Sequence, residues 1–479
     1  MSVENINGVA AASVETVNGV AAASVETISG VTGNMATFNS KGAITELHEG
    51  YRPVVTYDED TDRLVCVYQD STNNRLAYVM ASLADDGAIT AYSDNDIDTA
   101  SCKPLAIEYN KRINKVILCY IDDDADDTYC ISGTVTGGTT NTISWGSRDK
   151  LSSSNFENAN ATYETVHNGG EVHFTRVSST DTSSEKFDFY WHEDTSGICG
   201  RSAGVDEVSM LPSKSFSNDN TGSGPNGYPE HVGITFANMH GGTNWENVIM
   251  HVGCDGPPIT GKLQAWAPHA DGHVNAGDGP DVDTDYGNNA SLVQDDDTEN
   301  YHVAWDETIG KGIVVAQSHA SSNDSKPYYW QFTYNDSDHA ITVNTDAAID
   351  SGSATGYGIN CMYDHDAGAI VAAWQHKTSD SPYNLDLRFK AAVVNSSDNN
   401  VAWGTSLTLY DGTGGAGQSG NNSGVIPPTT NSPDRVDMCY TSGSRKGIVI
   451  AFSREKSGTG HSYLISMSGQ GTTDYSNTV

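Results

Sequence analysis

Basic residues are scarce in this chain. Lys and Arg together number 25 against 62 Asp and Glu, leaving a formal charge of −37 over 479 residues. A surface this negative repels phosphodiester backbones and anionic headgroups, so nucleic acid and membrane surfaces are not expected partners. Long apolar runs are missing too, and nothing approaches the ~20 residues that cross a bilayer as a helix. The opening MSVENINGVAAASVETVNGV has no basic stretch followed by an apolar core, so it does not read as a secretory leader and synthesis in a cytoplasm is expected. Stretches rich in Leu, Lys, Glu and Ala at helical period are absent, which argues against long helices. No C-x-x-C joins any of Cys66, Cys102, Cys119, Cys130, Cys199, Cys254, Cys361 and Cys439, so a zinc ribbon or dithiol redox motif is unsupported. Buried free thiols acting as small hydrophobes are expected instead, with disulfides between distant cysteines left open.

What is present in quantity is turn chemistry. Gly reaches 48 and Tyr 23, and Asn, Asp, Ser and Thr crowd the whole length. These residues supply the backbone geometries that join many short strands, so an all-β fold is expected.

Two kinds of repeat organise the chain. The first is short: Val3-Glu4, Val14-Glu15 and Val25-Glu26 recur every 11 residues, followed in phase by Ile6-Asn7-Gly8-Val9, Val17-Asn18-Gly19-Val20 and Ile28-Ser29-Gly30-Val31. The Asn-Gly steps mark tight turns. Too few apolar residues lie between them to build a core, so residues 1–33 are expected to be extended or disordered alone and ordered by docking on a partner. The docking residues would be Val3, Ile6, Val9, Val14, Val17, Val20, Val25, Ile28 and Val31.

The second repeat is an apolar strand closed by an aromatic residue, a polar turn and a second apolar strand. VVTYDEDTDRLVCVYQD (54–70), LAIEYNKRINKVILCYID (105–122) and INCMYDHDAGAIVAAWQH (359–376) show it most plainly, and 301–317 and 436–452 carry the same hairpin. The segments 161–177 and 233–253 have a shortened and a lengthened turn, making seven hairpins. A third strand with two-residue alternation follows several of them, as in RLAYVMASL (75–83) and YYWQFTYN (328–335), and a more polar fourth follows that. Near-continuous apolar strands require cover on both faces, whereas alternating ones meet water on one side. The expected fold is therefore a seven-bladed β-propeller over residues 34–479, closed by the spare strand NMATFNSKG (34–42) pairing with HSYLISMSG (461–469).

Catalytic signatures are hard to find. No S-x-D-x-G-x-T-W turn, H-E-x-x-H, G-x-S-x-G or phosphate loop occurs. Asp58, Asp306 and Asp364 recur just after a first strand, and repetition in equivalent turns points to a backbone hydrogen bond rather than one shared site. No catalytic residues are assigned. Asp281, Asp283 and Asp285 alternate as carboxylates of calcium loops do, but without Gly at the sixth place or Glu at the twelfth. Calcium is the one cofactor left open. Trp145-Gly146 and Trp403-Gly404 hold equivalent fourth-strand positions, which suits packing better than sugar stacking.

Aromatic-Asp turns followed by V-V-x-Y strands, Trp-Gly in outer strands and an opening V-E-x-I-N-G-V series together resemble the β-propeller repeats of phage virion structural and fibre-like proteins. The resemblance covers most of the chain with loose motifs. It implies a capsid or tail component of the virion, present in several copies, whose first residues dock on other virion proteins while the body faces outward for assembly or host attachment. It carries over no catalytic residue. The alternative is a carbohydrate-binding or glycan-degrading body acting on a host-surface polysaccharide.

Overall fold

The computed structural model describes the strands of residues 5–40, residues 44–152 except 112 and 126, and the strands between 156 and 292. It further describes 298–318, 326–350, 356–410 and 436–469 apart from short connections. Every regular element among the described residues is a strand. Near the N-terminus these are β1 (Asn5–Ile6), β2 (Val9–Ala10), β3 (Thr16–Val17), β4 (Val20–Ala21), β5 (Thr27–Ile28), β6 (Val31–Thr32) and β7 (Phe38–Ser40). The first two repeats supply β8 (Thr45–Asp58), β9 (Arg63–Asp70), β10 (Arg75–Leu83), β11 (Ile89–Asn110), β12 (Lys115–Asp122), β13 (Asp127–Thr136), β14 (Thr142–Trp145) and β15 (Asp149–Ser152). The next two give β16 (Phe156–Glu164), β17 (Glu171–Ser178), β18 (Phe187–His192), β19 (Gly233–Asn238), β20 (Asn247–Asp255), β21 (Thr260–Trp266) and β22 (Ala290–Leu292). The fifth and sixth give β23 (Thr298–Asp306), β24 (Lys311–Ser318), β25 (Lys326–Asn335), β26 (Ala340–Ala348), β27 (Gly356–Asp364), β28 (Ala369–Asp380), β29 (Tyr383–Val394), β30 (Val401–Trp403) and β31 (Leu407–Tyr410). The last is β32 (Val436–Thr441), β33 (Gly447–Lys456) and β34 (Thr459–Gly469).

Three hairpin turns are built the same way. Asp58 Oδ1 accepts the Asp60 and Thr61 amides, and Asp364 Oδ1 those of Asp366 and Ala367. Asp306 Oδ1 likewise accepts the Thr308 amide. Four residues after each aspartate the backbone turns left-handed, at Asp62 (φ 57°), Gly310 (67°) and Gly368 (60°), and Asn114 (54°) follows Asn110 at the same spacing. Only Gly, Asn and Asp reach that region cheaply, which is why those types recur there. The recurring aspartates are turn-formers, as their repetition suggests.

The expected closed ring of seven four-stranded blades is overturned. Hydrogen-bonded pairing joins the first, second and last repeats into a single twelve-stranded sheet, and the others form sheets of three, four, four and five strands among the described residues. Among the described residues no sheet closes on itself. Two long strands cause the merger. The front of β8 pairs β34 (Glu49 opposite His461) and its back, from Gly50, pairs β9, with Arg52 left-handed (φ 53°) in the irregularity between Tyr51 and Val54. The front of β11 pairs β10 and its back, from Cys102, pairs β12. The stretch between, DNDIDTASCKP (94–104), has no Gly and a single Pro, so nothing in it ends the strand. The spare N-terminal strand does pair where expected, β7 setting Phe38 opposite Gly469 and Ser40 opposite Met467.

Apolar side chains also pack between neighbouring repeats, inside the twelve-stranded sheet and beyond it. Val54, Val65, Tyr78, Ile107, Val116 and Leu118 form one core between the first and second repeats. Val55, Leu64, Cys66, Val449, Ala451 and Leu464 form another between the first and the last. Val371, Phe389, Ile448, Ile450 and Phe452 fill the gap between the sixth and seventh. Such two-sided cover is what the near-continuous apolar strands call for. The Trp-Gly steps split the outer strand in both repeats that carry one: the Gly146 amide bonds Ser132 O and the Gly404 amide bonds Ala391 O, separating β14 from β15 and β30 from β31.

Candidate functional site

The first strands of the repeats carry mostly apolar residues, and the polar exceptions gather around β8. It is flanked by β11 on one side and β32 on the other, and β27 lies beyond β32. Thr56 of β8 donates its hydroxyl to Glu108 Oε1 of β11 at 3.5 Å, and the Tyr109 amide donates to the same oxygen at 2.9 Å. From the other side Asp437 of β32 accepts the Val55 amide on Oδ2 at 2.8 Å and the Asn360 amide group of β27 on Oδ1 at 3.3 Å. Asn360 also donates to Val436 O. First strands have an open edge toward their neighbours, and an unpaired buried amide there is costly. Asp437 and Asn360 remove part of that cost.

Thr56 and Asn360 are buried, while Glu108 and Asp437 keep some accessible surface. Glu108 is nevertheless so enclosed by protein that loss of hydration pushes its carboxyl up to about 7, with the nearby Asp437 adding to the rise. The Tyr109 amide, Lys111 and Thr56 pull the other way without cancelling it. The partly accessible polar cluster around Glu108 is hereafter the recess. Two carboxylates, a carboxamide and a hydroxyl converge there, a group able to hydrogen-bond neutral polyhydroxylated molecules and to hold a proton near neutral pH. Neither carboxylate stands out in the sequence. Glu108 and Asp437 are single polar residues inside apolar strands, and only the packing of β11 and β32 on β8 brings them together.

The other sequence-derived candidates fare differently. Ile6 stands opposite Val9, Val17 opposite Val20 and Ile28 opposite Val31, so each 11-residue unit forms a two-stranded hairpin with two connecting residues. Among the described residues these hairpins pair only within themselves. Val3, Val14 and Val25 lie outside the described residues, as do Asp281, Asp283 and Asp285. Among the described residues no group of three or more His, Cys, Asp and Glu is placed to hold a metal. In the Asp122–Asp127 cluster the charges are taken up locally: Arg148 bridges Asp98 and Asp122 at 3.0 and 2.8 Å, Lys103 meets Asp123 and Lys150 meets Asp127. Trp145 packs against Tyr78 and Trp403 against Tyr329, both in edge-to-face geometry, and both stay partly accessible. No described helix is long and apolar enough to cross a membrane.

No protein-family profile and no curated protein matches the chain. Solved structures with some likeness include a protein of unknown function from Dyadobacter fermentans, with TM-score 0.45 and 9% identity, covering 90% of this chain and 99% of that one. AofleA from Arthrobotrys oligospora gives a TM-score of 0.40 at 10% identity, over 78% of this chain and 92% of the other. The NanB sialidase from Streptococcus pneumoniae gives 0.39 at 11%, over 91% and 71%. Likeness of this degree assigns neither substrate nor activity.

Proposed function

We propose that this chain is a non-catalytic surface component of a larger particle, anchored through its N-terminal hairpins and contacting a host-surface glycan through the recess at β8. The observation that carries the reading is the convergence of Glu108, Asp437, Asn360 and Thr56 from four neighbouring first strands at a place solvent still reaches. Carboxylates and carboxamides are the usual partners of sugar hydroxyls, and here their positions are fixed by backbone bonds before any ligand arrives. The anchor rests on the hairpins. Two-residue strands are far too short to be stable alone, so three in tandem suit a segment that gains its order from a partner. A virion, as the resemblance implies, is the particle we favour, with neighbouring virion proteins as the docking partners and further copies of the chain beside it.

The test is an array of bacterial surface polysaccharides probed with the whole chain, D437N and E108Q. Binding by the wild type that falls at least tenfold in D437N is expected. Equal binding by all three, or none by the wild type, contradicts the glycan contact. Release of reducing ends by the wild type would instead make the carboxylate pair an acid–base couple and the body an enzyme.

A further inference from the structure

The recess is short of one kind of group. Asn360 is only 7% exposed, and its Nδ2 is fully engaged, donating to Val436 O and to Asp437 Oδ1 at 3.3 Å each. Two acceptors on one side fix which way the carboxamide points, so Oδ1 faces away from them, and among the described residues nothing donates to it. Glu108 is alike. Its Oε1 takes the Thr56 hydroxyl and the Tyr109 amide, and its Oε2 accepts nothing from the described residues. Asp437 links the two, holding Asn360 by a hydrogen bond and lying close enough to Glu108 to act on its charge. Lys111, the cation felt by Glu108, is already bound to Glu59 at 2.8 Å. With Glu108 ionised, the recess leaves a carboxylate oxygen and a carboxamide oxygen open beside a second carboxylate, while the Thr56 and Asn360 donors are all in use.

On the reading of the recess as a glycan contact, on which this rests, we propose that it takes a protonated primary amine, so that the preferred glycan carries free amino sugars and not their N-acetylated forms. An ammonium brings three donors, no acceptor and a positive charge, which matches two carboxylates and an unpaired carboxamide oxygen. A hydroxyl brings one donor with lone pairs that find no partner there. An acetamide sets a carbonyl oxygen against acceptors, and leaves it unpaired once water is excluded. A metal ion is the poorer match, because Asp437 already accepts an N–H on each oxygen and the recess holds only two carboxylates. At neutral pH part of the Glu108 carboxyls hold a proton, and the ammonium takes its place.

Calorimetric titration of the whole chain with a β-1,4-linked glucosamine tetramer, and with the corresponding N-acetylglucosamine tetramer, reads the preference. The wild type should bind the first at least tenfold more tightly. A chain of formal charge −37 attracts any polyamine, so the comparison is repeated with E108Q and with N360A, which removes Oδ1 without changing the charge. In both the preference should shrink to roughly threefold or less. E108Q relieves a buried charge and so keeps the site folded, which circular dichroism checks, and it carries the test alone if N360A misfolds. Equal affinity of the wild type for the two tetramers overturns the proposal, as does binding of neither. A preference that persists unchanged in the folded variants overturns it too, since the amine would then sit on the general acidic surface. The glycan contact stands or falls separately: neutral polysaccharides that bind the wild type and are lost in D437N leave that contact in place and remove only the amine.

Discussion

At Gly312 the cost of a single methyl group can be read directly. A Cβ there would lie 2.2 Å from Cζ and 2.4 Å from Cε1 of Phe332, its cross-strand partner and a fully buried ring. Gly312→Ala should therefore destabilise by about 1–3 kcal/mol, seen as a lower denaturant midpoint at unchanged slope. Glu108 gives a pH-dependent counterpart. Its carboxyl stands near 7 in the folded chain and near 4.5 when unfolded, so the folded state holds the proton that the unfolded chain releases between those values. Stability therefore falls as pH rises from about 4.5 to about 7. E108Q lacks this loss and should gain on the wild type across that window, by on the order of 2 kcal/mol above it. That is less than the full linkage value because the carboxyl retains some water. Urea titrations at pH values either side of the window measure it, and an unchanged difference would mean that the carboxyl is not desolvated.

The turns and the strands differ in how legible they are. The hairpin aspartates could be read beforehand because the same residue type recurs at the same place, and a side chain serving its own turn needs only local sequence. At Asp364 the buried Oδ1 holds two amides while Oδ2 has no hydrogen-bond partner, and burial raises its carboxyl above the usual range. D364N keeps the acceptor and removes a charge, so it should be close to neutral. D364A strands two amides and should cost about 1–3 kcal/mol in the same unfolding assay. The third strands 75–83 and 328–335 were also visible, but their alternation did not mark a wet face: residues 76–81 and 329–332 are buried without a break. The merging of sheets was not visible. It arises because β8 and β11 change partners midway, and a strand that runs on without a Gly-rich break looks in sequence like two strands with a polar join. The recess was invisible for a related reason, since Glu108 and Asp437 are more than 300 positions apart and each is an isolated polar residue in an apolar run.

On the scale of the whole molecule the chain divides in two: a body whose sheets bury one another's faces, and an opening segment of three small hairpins that, among the described residues, pair with no strand of that body. The body's stability should not depend on the segment, because β7 and β34 pair after the last hairpin has ended. The segment's order should depend on a partner. Deleting residues 2–33 and following incorporation of the chain into purified particles tests this division most directly. The account predicts a body with unchanged circular dichroism and thermal midpoint that is missing from the particles. Particles carrying the truncated chain at the normal level would contradict it.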